Sequence, residues 1–249
     1  MSKQIVALGG GGCLEEPDNP LLDEFILQCT GKEMPAVCFI GAASGDLPVH
    51  LVHFYQRFGG KRSAARHLPL FERVDEDLRR VILSQDVVYV GGGSTLNLLA
   101  IWRTQGLDEI LAEAYAAGVV MAGVSAGMNC WFEESITDSY SIHRLGVLSD
   151  GLGLLPGGAC PHYDGDEKRR PALHEALLAG EIGPTYAADN GAALHFVEGE
   201  LSAVVSSRLS AHGYRVDLHD GEVRENLLST DFLGKGGSPS FEKVPPDAP

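Results

Sequence analysis

Short apolar runs alternate with helical segments through the first half of the chain. Between the runs, apolar residues recur at helical spacing, as they do from Leu107 through Ile110 and Leu111 to Ala114. Five runs have the length and composition of buried strands: Ile5–Leu8, Ala36–Ile40, Ala64–Leu68, Asp86–Val90 and Val119–Val124. The alternation predicts an α/β fold with a mostly parallel central sheet flanked by helices.

The second half has a different pattern. Residues 146–158 are rich in glycine and leucine and are predicted to form an irregular connection. Further on, tight turns separate four runs that are predicted to be short antiparallel strands: Tyr186–Ala188, Ala193–Val197, Leu201–Ser206 and Tyr214–Leu218. We therefore expect one α/β domain over residues 1–233, followed by a flexible tail over residues 234–249 because glycine, proline and charge accumulate there.

The fifth predicted strand ends in Gly123-Val124-Ser125-Ala126-Gly127, which matches the G-x-S-x-G nucleophile elbow. In such a turn the serine is held in a strained conformation, and the two glycines remove side chains that would crowd the bend. The helix that starts behind the serine directs free N–H groups towards a developing oxyanion. Ser125 is therefore the candidate nucleophile.

Two other glycine-rich stretches follow predicted strands. Gly91-Gly92-Gly93-Ser94 comes after the fourth strand, and Ser94 is placed to cap the helix that follows. A right-handed crossover would bring this loop to the same sheet edge as Ser125. The run Gly9-Gly10-Gly11-Gly12 lacks the third glycine of a dinucleotide fingerprint, so it predicts close backbone approach rather than a nucleotide site.

A serine nucleophile needs a base and a group that orients the base. His162 is the candidate base, because Pro161 precedes it and restricts the backbone of its loop. Asp138 is the first choice for the orienting acid, since it lies in a polar loop between Ser125 and His162. The open alternatives are Glu133, Glu134 and Asp164.

Composition narrows the class of protein. The chain of 249 residues carries 19 Lys and Arg against 34 Asp and Glu, a net charge of −15, so its surface repels nucleic acid. Without a signal peptide or a run of about 20 apolar residues, it is expected to be cytoplasmic and independent of membranes. Five cysteines without a C-x-x-C pair favour neither a disulfide framework nor a zinc site, and no cofactor or metal is expected.

The glycine loop at Gly91–Ser94, the serine turn at Gly123–Gly127 and the Pro161-His162 pair, in this order, resemble the motifs of peptidase E. Members of that family are dipeptidases that remove N-terminal aspartate, and cyanophycinase is a more distant relative. The resemblance runs from about Ile5 to Val205. It implies a fold similar to class I glutamine amidotransferases, with serine in place of their cysteine. By the same resemblance, Ser125 matches the nucleophile and His162 the general base, while the backbones of Gly92, Gly93 and Ala126 match the oxyanion donors.

The resemblance implies a serine peptidase that cleaves small peptides without a cofactor, with N-terminal aspartate as a candidate preference. Trp131–Glu133 and Asp189–Ala193 resemble a bacterial subgroup related to peptidase E rather than the aspartyl dipeptidase itself. A substrate carboxylate would need a cation, for which Arg169 and Arg170 are candidates, with Ser94 as a further binding residue.

Two alternatives stay open at this point, and the sequence leaves an oligomer possible. One is a catalytically weak or inactive binding or regulatory module on the amidotransferase-like scaffold. The other is metal-assisted hydrolysis, which would use four residues that are common metal ligands: His162, Asp164, Asp166 and His174.

Overall fold

The computed structural model describes residues 2–72, 75–141 and 144–234. The predicted tail lies outside these ranges from residue 235 onward. In chain order the strands are β1 Gln4–Leu8, β2 Ala36–Ile40, β3 Ala64–His67, β4 Val87–Val90, β5 Val120–Val124, β6 Phe132–Thr137, β7 Gly146–Leu148, β8 Leu155–Cys160, β9 Thr185–Ala188, β10 Ala192–Val197, β11 Glu200–Ser206, β12 Gly213–His219, β13 Glu222–Leu227 and β14 Asp231–Phe232.

The α-helices lie mostly between the early strands. They are α1 Gly12–Glu15, α2 Leu21–Gln28, α3 Pro48–Phe58, α4 Leu78–Leu83, α5 Thr95–Gln105, α6 Leu107–Ala116, α7 Ala126–Asn129 and α8 Arg169–Ala179, with a short 3-10 turn at Ala42–Ser44. Within the described residues, no helix is long and apolar enough to cross a membrane.

The first sheet has eight strands in the order β14-β11-β10-β1-β5-β4-β2-β3. Its central part, β1-β5-β4-β2-β3, is parallel, as predicted. The late strands β10 and β11 extend this sheet in antiparallel pairing, and β14 closes the edge parallel to β11. Because the parallel strands all end at one edge, the loops after β1, β4 and β5 lie close together there.

Side chains of the central strands alternate between two apolar layers. Val88 and Val90 pack on one face of the sheet, together with α5 and α6, whereas Val87 and Tyr89 pack on the other with α2 and α3. This alternation follows from the two-residue repeat of a strand. Helices cover both faces, which explains why β4 and β5 are buried throughout. The α/β fold with mixed sheets and flanking helices is thereby confirmed.

The second sheet has six strands in the order β13-β12-β9-β8-β6-β7. The prediction of an irregular connection at residues 146–158 is wrong, because β7 and the first part of β8 lie within it. Strand β8 was not predicted because glycine is rare in strands. The structure nevertheless requires glycine at position 158, since a Cβ atom there would lie 2.3 Å from Oγ1 of Thr185 on β9. Strand β13, with its alternating charges, was also missed.

Candidate active site

Ser125 occupies the strained turn between β5 and α7, with φ 59° and ψ −110°. Its N–H donates to the carbonyl of Leu8 at the end of β1 (3.1 Å). The two flanking glycines are required by contact: a Cβ on Gly123 would lie 2.2 Å from the carbonyl oxygen of Gly127, and one on Gly127 would lie 2.3 Å from that of Val90. The predicted strand, turn and helix are therefore present, and the turn can form only with small residues on either side.

The loop after β4 passes directly beside Ser125. A Cβ on Gly92 would lie 3.3 Å from Cβ and 3.8 Å from Oγ of Ser125, so the Gly92 backbone lies against the serine side chain. Gly93 has φ 138°, and a Cβ on it would lie 2.3 Å from the carbonyl of Ala43. In the part of the chain that the structure describes, the N–H groups of Gly92, Gly93 and Ala126 make no hydrogen bond to a protein acceptor. Of the three residues, Gly93 also lines the pocket around Ser125.

Helix α5 begins at this loop, with its N-terminal N–H groups held by two serines. Ser94 Oγ accepts the N–H of Asn97 (3.2 Å), as the sequence predicts for a cap. Ser139 Oγ, from the loop after β6, accepts the N–H of Thr95 (2.8 Å). The Ser94 hydroxyl is thus engaged in capping, although the residue also lines the pocket around Ser125.

His162 follows β8 and also adopts a left-handed conformation, with φ 54°. Its N–H donates to the carbonyl of Gly9 (2.9 Å), which ties the residue to the end of β1. The imidazole is partly buried, with 21% of the side chain exposed. Its Nδ1 atom lies 2.6 Å from Oδ1 of Asn190, and its Nε2 atom lies 3.9 Å from Oε1 of Glu15. The ring is therefore held from the Nδ1 side by an amide.

Asn190 lies in the turn between β9 and β10 and was not predicted from the sequence. Its side chain fits a slot bounded by two glycines: a Cβ on Gly10 would lie 2.1 Å from its Oδ1, and one on Gly165 would lie 2.2 Å from its Nδ2. Its N–H donates to Oδ1 of Asp164 (2.7 Å). The predicted close approach of the Gly9–Gly12 run is thus used to seat Asn190. The available sequence signal, Asn190-Gly191, is typical of a turn and does not indicate a partner for histidine.

The four predicted orienting acids have other partners. Asp138 pairs with Arg169, its Oδ2 atom 3.5 Å from Nη2. Glu133 Oε2 accepts the N–H of Gly157, and Glu134 Oε2 accepts that of Gly183, each at 2.8 Å.

Asp164 binds the backbone of Asn190, as described above. The position at His162 Nδ1 that Asp138 was expected to occupy is therefore taken by Asn190.

The two predicted arginines have different surroundings. Arg169 is buried, with 6% of its side chain exposed; its Nη1 donates to the carbonyl of Ile136 (3.3 Å), and its Nε makes no hydrogen bond within the described residues.

Arg170 instead stacks over the rings of Tyr163 (4.4 Å) and Tyr214 (5.4 Å) and pairs with Glu225. Burial, together with the hydrogen bond to Glu225, raises the pKa of Tyr163 above its ordinary value. Arg170 thus belongs to a separate network beside α8.

Ser125, His162 and Arg169 line one pocket of about 440 Å³, together with Gly93, Ser94 and Asp138. Among the described hydrogen bonds, none joins Ser125 Oγ to the His162 ring. His174, which the metal alternative requires, is bound to Glu225 instead, with Nε2 and Oε1 2.6 Å apart. Within residues 2–72, 75–141 and 144–234, no three potential metal ligands come together.

Comparison with known proteins gives a consistent picture. Residues 5–204 match Peptidase family S51. An uncharacterized peptidase of Bacillus subtilis, YgaJ, is 47% identical over 234 residues, which are 93% of this chain and 100% of that protein. Peptidase E of Pasteurella multocida is 28% identical over 199 residues, covering 75% of this chain and 80% of the relative.

Solved structures share the fold at lower identity. A peptidase from an acI-B1 Actinobacterium superposes with a TM-score of 0.68 at 18% identity, covering 92% of this chain and 95% of the other. A putative peptidase E protein from Listeria monocytogenes gives 0.62 at 18% identity, covering 84% and 100%. The resemblance to peptidase E is confirmed, and the chain belongs to Peptidase family S51 as a serine-type peptidase.

Proposed function

We propose that this peptidase cleaves small peptides with Ser125 as its nucleophile and His162 as its general base. The observation that carries the proposal is that both side chains line one pocket beside backbone N–H groups without protein acceptors. Asn190 takes the orienting position that was expected for Asp138. An amide oxygen can only accept a hydrogen bond, so Nδ1 of His162 carries the hydrogen and Nε2 keeps its lone pair.

The chemistry follows in two stages. His162 Nε2 takes the proton of Ser125 as Oγ bonds to the scissile carbonyl carbon, and the same proton is then given to the leaving amine as the C–N bond breaks. In the second stage His162 takes a proton from water as the water oxygen bonds to the acyl carbon, and it returns that proton to Ser125 Oγ as the ester bond breaks. In apo structures such hydrogen bonds are often long or unformed, so a gap between serine and histidine is compatible with this role.

The negative charge that develops on the carbonyl oxygen would be stabilised by the N–H groups of Gly92, Gly93 and Ala126. These donors are fixed by the turns that hold them, so they need no reorganisation as charge develops. Removing one such donor from an enzyme of this type typically slows turnover by about 100- to 1,000-fold.

A preference for N-terminal aspartate is supported by Arg169. Its guanidinium is a buried cation in the wall of the pocket, and its Nε has no hydrogen-bond partner among the described residues. A substrate carboxylate could accept from it, in competition with the more exposed Asp138. Arg170 does not share this role, because its guanidinium group already pairs with Glu225 and stacks on two aromatic rings.

The proposal is tested by a serine-directed phosphonate probe and by hydrolysis of a dipeptide library that includes Asp-X peptides. We expect an adduct on Ser125 that is lost in His162→Ala, and turnover that is lost in Ser125→Ala with the fold retained. Ser210→Ala, which changes an exposed serine, is the matched control and should behave as wild type. Full turnover in Ser125→Ala would refute the proposal. An adduct formed by the probe on a residue other than Ser125 would refute it as well.

A further inference from the structure

Resting on the function proposed above, we infer that Asn190 and Glu15 together perform what one carboxylate does in a serine triad. Asn190 orients the His162 ring, and Glu15 supplies the negative charge that stabilises the ring when it is protonated. The two residues contact opposite nitrogens: Asn190 Oδ1 lies 2.6 Å from Nδ1, and Glu15 Oε1 lies 3.9 Å from Nε2. Both are positioning residues, because they act through His162.

The role of Asn190 in orienting the His162 ring is supported by the slot that holds its side chain. Gly10 and Gly165 confine its amide from two sides, so the Oδ1 atom has little freedom to leave Nδ1. The turn is anchored further, because Gly191 donates its N–H to the carbonyl of Gly10 (3.0 Å). A rigid acceptor fixes both the ring direction and its tautomer. An amide, however, carries no net charge.

The missing charge matters when the proton of Ser125 reaches His162. The ring then becomes an imidazolium, which a carboxylate in a triad would stabilise. Here Asn190 cannot supply that charge. A carboxylate within about 4 to 6 Å favours the protonated form of a histidine, and Glu15 meets this condition.

Glu15 is held in place despite being 40% exposed. Its Oε2 accepts the N–H of Gly11 (2.8 Å), which leaves Oε1 directed to His162. The residue lies at the end of α1, which starts from the same glycine run that seats Asn190. One loop therefore places both partners of the ring.

The other charged groups near the ring have partners of their own. Asp164 accepts the backbone N–H of Asn190, while Asp138 and Arg169, in the pocket wall, pair with each other. Glu16, next to Glu15, pairs with Arg208. Among the described residues, the ion pair of His162 is the one with Glu15.

Glu15 takes no proton in this scheme. The proton leaves Ser125 Oγ as the O–C bond forms, resides on His162 Nε2, and passes to the leaving nitrogen as the C–N bond breaks. Glu15 lowers the energy of the intermediate stage, in which the ring is positive. Its removal should therefore reduce kcat and also make the ring harder to protonate.

The test compares four proteins over pH: wild type, Glu15→Gln, Asn190→Asp and the double variant. Glu15→Gln keeps the acceptor for Gly11 and removes the charge; we expect the acid limb of kcat/KM to move to lower pH by about one unit or less. At the plateau we expect kcat to fall by about five- to tenfold. Asn190→Asp keeps the shape of the side chain and should move the same limb to higher pH.

The double variant gives the sharpest outcome. With a carboxylate at Nδ1, loss of Glu15 should cost no more than about threefold, because the ring is already paired. Equal losses in both backgrounds would overturn the inference. So would an effect of Glu15→Gln confined to KM of substrates with a free amino group, since Glu15 would then bind the substrate ammonium. Glu24→Gln, at an exposed acid of α2, is the control for net charge and should change neither limb.

Turnover is not needed to decide the pairing. The imidazole pKa of His162 can be followed by NMR titration, with its signal assigned from its absence in His162→Gln. A lower pKa in Glu15→Gln and a higher one in Asn190→Asp would support the inference, and an unchanged pKa in Glu15→Gln would reject it. If the phosphonate and dipeptide experiments failed, the function proposed for Ser125 would fall, whereas this titration would still report on Glu15.

Discussion

Arg169 and Asp138 form an ion pair in the wall of the pocket that contains Ser125, with Nη2 and Oδ2 3.5 Å apart. The two partners differ in burial: 6% of the arginine side chain is exposed, against 55% of the aspartate. The carboxylate is therefore the partner that solvent or a substrate can replace. Asp138, which the sequence suggested as the orienting residue of His162, is thus paired with Arg169 instead.

Asp138→Asn should leave kcat within about threefold of wild type, because Asp138 pairs with Arg169 and the orienting position at His162 belongs to Asn190. For a substrate with an acidic first residue, KM should fall, since the substrate carboxylate no longer competes with Asp138. Steady-state kinetics with Asp-Leu measures both constants. If turnover instead slowed by about 100-fold or more, as expected for a triad residue, Asp138 would return to the catalytic machinery.

Arg169→Met should reduce the preference for Asp-Leu over its neutral isostere Asn-Leu by about tenfold or more, because the pocket loses its buried cation. The ratio of kcat/KM values for the two dipeptides is the measurement.

Arg170→Met is the matched comparison for this variant. It should keep the ratio and lower the free energy of unfolding by about 1 kcal/mol, because stacking on Tyr163 and Tyr214 is lost. If Arg170→Met altered the ratio and Arg169→Met did not, the assignment of the two arginines would be reversed.

Gly123→Ala should destabilise the protein by at least about 3 kcal/mol or prevent folding, since its Cβ would lie 2.2 Å from the carbonyl oxygen of Gly127. Urea denaturation followed by circular dichroism measures the difference. Gly183→Ala is the control, because its Cβ would meet its nearest neighbour at 3.5 Å. Equal stability of the two variants would mean that the turn around Ser125 can relax.

The pH dependence of stability should contain a contribution from Asp23, which is fully buried and lies 3.2 Å from Nε of Arg57. Burial raises the pKa of Asp23 to about 7, against a pKa near 4 in the unfolded chain. Between about pH 4 and pH 7 the folded state then binds more protons than the unfolded state, so the contribution of Asp23 to stability falls as pH rises.

Asp23→Asn removes this titration while preserving an acceptor for the N–H of Cys13. The free energy of unfolding of the variant, minus that of wild type, should therefore increase between pH 4 and pH 7 by up to about 4 kcal/mol. Denaturant titrations at several pH values measure this difference. Parallel pH profiles for the two proteins would contradict the assignment.

Local sequence rules were sufficient for the parts of this protein that depend on neighbours along the chain. Ser125 was located from the glycines beside it, and the start of α5 from its Ser94 cap, because steric crowding and capping act within a few residues. The buried strands of the first sheet were predicted from short apolar runs, because the length and composition of a run are also local properties of the sequence. Glycine-rich β8 escaped prediction because its glycines serve contacts with other elements.

Only the tertiary structure decided what surrounds His162. Asn190 lies 28 residues further along the chain, and its contact depends on how the turn after β9 packs against the Gly9–Gly12 run. Likewise, adjacent arginines point to different surroundings, Arg169 to the pocket and Arg170 to Tyr163, because successive residues of a helix face different directions. Sequence determined which residues can do chemistry, and long-range packing determined which of them meet.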